Sequence, residues 1–370
     1  MSQKYSHILK RAPWLLCSTL MIAACGGGGG GGYQDVTNQQ VAPSSVSGRA
    51  VKGVLSHAVV KAFPVSNGSV GSTALAQTET DSSGNYAMTL PAGYQGQVVI
   101  QISASSNASQ PTLMTCDVPA GCGNYDSYPS RGPAAQDLNA PWGEINYGDR
   151  IALNPNDGFE LLSVSDTLRP GATISANVSA LSHLTAVYLM NSSISADALT
   201  QARSQLADLF GLPANYYSYT PVDVTSTREA AAANATQLQS SLLSSSILSL
   251  ALSGGSGLAP GAAIAQNMGQ LSSHYVSLGG QLIARNGGAA STVPTLQDIN
   301  STAAGMAQQL AATNNVMPSV ISSFSAVQAR ISQMAAGTVT QASATNVAPS
   351  ETPAQFFANQ VWPLLSQDCT

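Results

Sequence analysis

Three histidines follow the first 24 residues: His57, His183 and His274. Histidine exchanges its proton close to neutral pH, so a general base would be sought among them. Ser182 directly precedes His183, which pairs a hydroxyl with an imidazole, and His274 could partner them. A serine hydrolase also needs a carboxylate to orient the imidazole. Asp197, Asp208, Asp223 and Asp298 are available, but no spacing selects one. The string nearest a nucleophile elbow, Ser253-Gly-Gly-Ser-Gly257, lacks the required spacing and reads as a linker between helices. Neither H-E-x-x-H nor a phosphate loop ending in G-K-(S/T) occurs. The histidines are expected to be ordinary solvated or half-buried residues, and no catalytic residue is assigned.

Metal and ligand chemistry is equally sparse. Asn154-Pro-Asn-Asp-Gly158 has the composition of a calcium loop, but the position five before Gly158 is Leu153, wrong for an EF-hand. Asp81 to Asn85 reads as a hairpin turn. Cys116 and Cys122 bracket a short turn-rich loop, and a local disulfide is expected in an oxidising compartment. Cys369 is then odd, free or paired between chains, and an exchange with one of the other two stays open. No metal and no cofactor is assigned, because too few ligands lie near these cysteines. Tyr216, Tyr217 and Tyr219, with Trp142 and Tyr147, could stack on sugars in a groove. Packing at a seam between domains is the expected role.

Charge narrows the partners. Only 8% of the 370 residues are charged, against about 25% in an average globular protein. Binding phosphate backbones needs clustered Lys and Arg, and none is present, so a nucleic-acid partner is excluded.

The N-terminus supplies a different kind of chemistry. Lys4, Lys10 and Arg11 precede the short apolar run Trp14 to Ile22, the pattern of a secretory signal. The run is too short for a permanent membrane span. It ends Ile22-Ala23-Ala24-Cys25, which closely resembles the lipobox of bacterial lipoproteins. That resemblance implies cleavage before Cys25 and acylation of its thiol, so membrane lipid becomes the first partner. Gly26 is not the aspartate that retains such proteins in the inner membrane, and the outer membrane is the implied address. Each buried acyl methylene contributes about 0.8 kcal/mol, so several chains make a stable anchor. Removing residues 1–24 takes away three of the 13 basic residues and none of the 18 acidic ones, so the formal charge falls from −5 to −8.

Elements follow from pattern. Residues 25–45 hold seven consecutive glycines and polar sequence, and read as a tether. About twenty such residues reach roughly 25 Å. Residues 46–105 alternate in short apolar runs, Val46–Val51, Ala58–Val65, Ala74–Thr80, Tyr86–Leu90 and Gln97–Ser103, separated by Gly, Asn, Asp and Pro. This argues for an antiparallel β-sandwich. Ser47-Gly48, Val51, Gly53, Leu55, Ala58 and Val60, then Thr80-Asp81, Gly84, Tyr86 and Leu90, resemble the carboxypeptidase regulatory-like (transthyretin-like) domain. The resemblance implies a spacer or attachment module without catalytic residues.

Residues 106–180 read as a loop-rich segment with further strands at Asp149–Leu153, Phe159–Val164 and Ala172–Ala176. Asn177-Val-Ser-Ala-Leu-Ser-His-Leu184 resembles the sandwich-to-helix junction of bacterial lipoproteins of unassigned role. Residues 181–370 carry helical stripes: Leu199, Ala202, Leu206, Leu209; Ile264, Met268, Leu271, Tyr275, Leu278, Leu282; Leu296, Ile299, Ala303, Met306, Leu310; and Val320, Phe324, Val327, Ile331, Met334. Thr295 with Asp298, and Thr352-Pro353 with Gln355, form capping boxes. The stripes are too short, and too poor in flanking charge, for a coiled coil, so an internal core is favoured. The expected fold is α+β and multidomain, an N-terminal antiparallel β-sandwich followed by a mostly α-helical bundle. The expected role is non-catalytic binding or scaffolding at the cell envelope, with a protein or glycan partner. A secreted-type hydrolase and a subunit of an envelope assembly are the alternatives.

Overall fold

The computed structural model describes residues 42–123, 144–253, 258–285, 293–314 and 318–333. Cys25, the tether up to residue 41, Trp142, Met334, the Thr352 capping box and Cys369 lie outside them. Among the described residues the chain is mixed α and β, strands first and helices last. The strands are β1 Pro43–Arg49, β2 Leu55–Ser56, β3 Val59–Ser66, β4 Ser69–Val70, β5 Ala76–Glu79, β6 Asn85–Ala92, β7 Val98–Ser103, β8 Leu113–Thr115, β9 Arg150–Ala152, β10 Glu160–Val164 and β11 Thr173–Ser175. The helices are α1 Ala180–Met190, α2 Ala196–Phe210, α3 Thr227–Ala232, α4 Ala235–Ser253, α5 Pro260–Ser277, α6 Leu296–Asn314 and α7 Pro318–Gln333.

One sheet runs β11-β1-β6, with Val46 opposite Met88 on one side and Ile174 on the other. A second runs β10-β7-β3, and both β4 and β5 pair with β3. A third, smaller sheet is β2-β8-β9. Strand pairings among β1 and β3–β7 are all antiparallel, as expected, whereas the pairing of β1 with the later β11 is parallel. Parallel neighbours need a crossover rather than a hairpin. Here the whole chain between the two strands serves as that crossover, and β11 then leads directly into α1.

Side-chain alternation decides what each sheet face buries. On β6, Tyr86, Met88 and Leu90 point inward while their neighbours are exposed. On β7 apolar residues of both faces are buried, but into different places, while Gln101 and Ser103 are half-buried. Val98, Ile100 and Ile102 join Val46, Val60 and Met88 in the main core. Val99 joins Leu162 and Val164 of β10 against Ala186 and Leu189 of α1 and Leu199 and Ala202 of α2. The second sheet is therefore covered on both faces, once by strands and once by helices. The main core continues without a break through α4, α5, α6 and α7.

Two glycines of the Ser47–Leu90 pattern have visible reasons. A Cβ at Gly48 would stand 2.3 Å from the Ala176 carbonyl oxygen, to which the Tyr86 hydroxyl also donates. Gly53 has φ 48°, and a Cβ there would fall 1.7 Å from the Thr115 carbonyl oxygen. Only glycine permits that approach.

The helices are capped as their sequences require. Ser179 and Ser182 form a reciprocal box on α1, Ser195 caps α2, and Thr295 and Asp298 exchange bonds at α6. The stripe ending at Leu278 and Leu282 overshoots, because α5 stops at Ser277. Gly279 and Gly280, at φ 66° and 81°, turn the chain out of the helix. Leu282 is nonetheless buried beyond the turn. Among the described residues, no helix is long and apolar enough to cross a membrane.

Candidate functional site

α4 touches α1, α5, α6 and α7, and residues 241–249 are buried on every side. Such a helix would ordinarily be apolar all round. This one carries Ser241, Ser244, Ser245, Ser246 and Ser249 among its leucines. Each buried hydroxyl needs a partner, and the partners come from the start of α1, the segment before α3, the loop after β8 and α4 itself. Ser244 Oγ accepts the Ala180 N–H at 3.0 Å, and Ser241 Oγ accepts the Val222 N–H at 2.9 Å. Ser245 Oγ donates to Asp117 Oδ2. The polar face of α4 thus ties α4 to α1 and to the segment before α3, and through Ser245 to the loop after β8.

A narrow cleft opens beside this seam, between β10, the start of α1 and the 3-10 turn Tyr216–Ser218. Its enclosed space is about 50 Å³, room for a few waters and well below the ~300 Å³ at which small-molecule pockets begin. Tyr216, Tyr217 and Tyr219 all line it. Tyr216 is buried, and desolvation pushes its phenol up to about 12. Tyr217 stacks under the Arg203 guanidinium, 3.8 Å from the ring centre. Arg203 also pairs with Asp166 at 2.6 Å and donates to the Val164 carbonyl. Asn177 accepts the Arg49 N–H and donates to the Tyr219 carbonyl. Tyr147 lies apart from the cleft lining and donates its hydroxyl to the Val224 carbonyl.

The structure separates the residues from which a hydrolase site would have to be built. His183 is buried on α1, its Nδ1 has no partner, and burial lowers its pKa to about 4. It is therefore a neutral imidazole at neutral pH. Ser182 faces elsewhere, because successive helical residues point about 100° apart. Its hydroxyl donates to the Leu162 and Ser179 carbonyls. His57 sits in the turn between β2 and β3 at φ 56°, and its carbonyl accepts from Thr112. His274 is half-buried near the end of α5, beside an open trough on that helix. Asp223 accepts from Thr225 and Asp298 caps α6, while Asp197 and Asp208 lie exposed on α2. Ser277 Oγ donates to the His274 carbonyl, but among the described residues no histidine ring is hydrogen-bonded to a serine or a carboxylate.

Asn154 to Gly158 folds as a 3-10 turn in which Asn154 accepts the Asn156 N–H. Its Asp157 faces the start of α5, which has no side-chain cap of its own. Burial raises the Asp157 carboxyl, and the bond it accepts from the Ala262 N–H offsets part of that rise. The calcium-like composition therefore serves as a cap delivered from a neighbouring segment. Among the described residues no three His, Cys, Asp or Glu side chains gather to hold a metal.

The most unusual constellation was foreseen only in its disulfide, between Cys116 and Cys122. Cys116 and Cys122 stand at disulfide distance, 2.08 Å, and close the loop that carries Asp117. Lys52 Nζ lies 2.5 Å from Asp117 Oδ1, and both side chains are 0% exposed. Asp117 Oδ2 accepts the Gly53 N–H at 2.7 Å as well as the Ser245 hydroxyl. A second charged tie, Arg49 to Glu229 at 2.5 and 3.1 Å, joins β1 to α3. Burial alone would raise the Glu229 carboxyl, but the Arg49 guanidinium and the Asp223 N–H hold it below the usual carboxylate range. The signal for the first constellation was present: Lys52 is a lone cation in the apolar stretch Ala50-Val51-Lys52-Gly53-Val54-Leu55.

Compared with known proteins, the chain matches no family model, no curated protein and no solved structure.

Proposed function

We propose that the chain is an outer-membrane lipoprotein, tethered through acylated Cys25, that binds or scaffolds at the cell envelope without catalysing a reaction. In this reading residues 46–105 belong to a carboxypeptidase regulatory-like β-sandwich that acts as a stalk, and the helices form a bundle that meets the partner, a glycan or an envelope protein. The anchor rests on the leader and on Ile22-Ala23-Ala24-Cys25 followed by the glycine run. The sandwich is supported by the roles of Gly48, Gly53 and Tyr86 at close backbone approaches. The non-catalytic part is carried by one observation. The polar groups where strands meet helices are spent on one another, with Ser182, Ser241, Ser244 and Asn177 all bonded internally.

Labelled palmitate should enter the wild-type protein, and Cys25→Ser should abolish both labelling and membrane fractionation. Unchanged processing and fractionation of Cys25→Ser would overturn the anchor. Pull-down from the native envelope should recover a partner. A turnover screen with ester, glycan and peptide substrates should stay silent, and activity lost in His183→Ala would establish the hydrolase instead.

A further inference from the structure

The Lys52–Asp117 contact is more than a charge pair held out of water. We propose that Lys52 and Asp117 condense into an intramolecular amide, a permanent cross-link between the turn after β1 and the disulfide loop.

The two reacting groups begin in contact, 2.5 Å apart, with no solvent access to either side chain. Neither can wander. Lys52 sits in a turn closed by the Val51–Val54 bridge, followed by Gly53 pressed against Thr115. Asp117 lies inside the loop closed by Cys116 and Cys122, and Cys116 is bonded through its backbone to Asp149 and Gly148. Holding reactants in one geometry converts a bimolecular condensation into a unimolecular one, with a large gain in effective concentration. The second carboxyl oxygen, Oδ2, already receives two donors, the Gly53 N–H and the Ser245 hydroxyl. Those donors would stabilise the negative charge that gathers on this oxygen when nitrogen adds to the carboxyl carbon. A buried ion pair also carries a desolvation penalty that a neutral amide does not.

The step balances without another reactant. A C–N bond forms between Lys52 Nζ and Asp117 Cγ, and the Cγ–Oδ1 bond breaks. Two protons of the ammonium leave with Oδ1 as one water, and the third remains on the amide nitrogen. Oδ2 becomes the amide carbonyl oxygen and keeps both donors. Nothing is oxidised or reduced.

Peptide mapping of the full chain purified from its producing cells decides the matter. After reduction and denaturation, trypsin should fail to cut after Lys52. The digest should contain one branched peptide joining the Lys52 and Asp117 segments, lighter than its two parts by one water. Lys52→Arg and Asp117→Asn serve as controls for the assignment of that peptide. If neither variant folds, the wild-type digest alone still gives the answer. Ser245→Ala should lower the branched fraction several-fold by removing one of the two donors. Free cleavage after Lys52, with linear peptides of full mass, overturns the proposal. So does a water-loss link that maps to Ser245 rather than Lys52.

Discussion

Three charged contacts lie within the strand region or between it and the helices, and they differ chiefly in how much water reaches them. In the Lys52–Asp117 contact both side chains are 0% exposed, and a serine from α4 and a backbone N–H complete the carboxyl group's partners. In the Arg203–Asp166 contact the carboxylate is 56% exposed and the arginine leans on an aromatic ring. The first replaces solvent altogether, while the second shares its carboxylate with it. The Arg49–Glu229 pair stands between them, with side-chain exposures of 8% and 39%. Coulomb attraction alone would not rank the three, because their closest N···O distances are nearly equal. The ranking comes from what is left behind when one partner is removed.

The largest effect is expected at the fully enclosed contact. Asp117→Ala leaves the Lys52 amine, the Gly53 N–H and the Ser245 hydroxyl without their acceptor in a site water cannot enter. Removing one member of a buried pair costs about 3–5 kcal/mol, and chemical denaturation should show a loss of at least that size, since Asp117→Ala also removes the proposed cross-link to Lys52. Lys52→Met combined with Asp117→Leu should cost less than Asp117→Ala alone, because it removes the stranded polar group as well as its partner. A double variant no better than the single one would mean that the region depends on the polar contact itself.

Next comes His183, one of several buried side chains that carry a polar atom without a partner. His183 keeps a neutral ring, and burial lowers its pKa from 6.5 to about 4. Between those values the unfolded chain binds a proton that the folded chain refuses, so stability falls as pH drops from 6.5 to about 4 and levels off below. At 1.36 kcal/mol per pKa unit the loss is at most about 3 kcal/mol. Denaturation midpoints measured across this window should fall on acidification. His183→Met should flatten the dependence, and an unchanged slope in that variant would assign it to other groups.

These contacts also mark where the sequence is transparent and where it is not. The alternation on β6 exposes its inward set, Tyr86, Met88 and Leu90, directly, and the stripes on α2, α6 and α7 show one buried face each. Both patterns depend on an element having a wet side. α4 has almost none. Leu238, Leu242, Leu243, Ile247 and Leu248 point to different neighbours, the serines fill the angles between, and no stripe emerges. The parallel partner of β1 was hidden for another reason, since Ser45 meets Thr173 across a separation of 128 residues and no local turn announces it. The local disulfide between Cys116 and Cys122 was legible from spacing. The Lys52–Asp117–Ser245 contact was not, because its members come from three remote segments. In a chain with only 8% charged residues, a lysine between Val51 and Gly53 in an apolar stretch was the one local hint.

The intermediate pair should give an intermediate loss. Glu229→Gln removes the charge that holds Arg49, whose side chain is 8% exposed, but solvent reaches the vacated side. Charge-assisted hydrogen bonds contribute about 1.5–3 kcal/mol, and screening at the exposed carboxylate reduces this to about 1–2 kcal/mol. Its pH dependence has a definite sign. The folded pKa lies below the unfolded one, so the stabilisation is complete above the ordinary carboxylate range and disappears as pH falls through the folded value. That window lies on the acid side of the His183 effect, so a wild-type acid titration should show two successive losses. Glu229→Gln should erase only the more acidic one.

The smallest effect is expected at the wet rim. Asp166→Ala removes an exposed carboxylate and should cost less than about 1 kcal/mol, falling further in high salt. Arg203→Ala should cost more than its partner's removal, because Arg203 also covers the Tyr217 ring and donates to the Val164 carbonyl. Cation–π stacking at such a site contributes about 0.5–1 kcal/mol, and Tyr217→Ala should remove a similar share. If Arg203 served only as the counter-ion of Asp166, the two alanine variants would match and the double variant would cost no more than either. A double-mutant cycle in low and high salt therefore separates the two roles. The coupling between Arg203 and Asp166 should shrink with salt, while that between Arg203 and Tyr217 persists, because a stacked and partly dry contact is screened far less than a wet one.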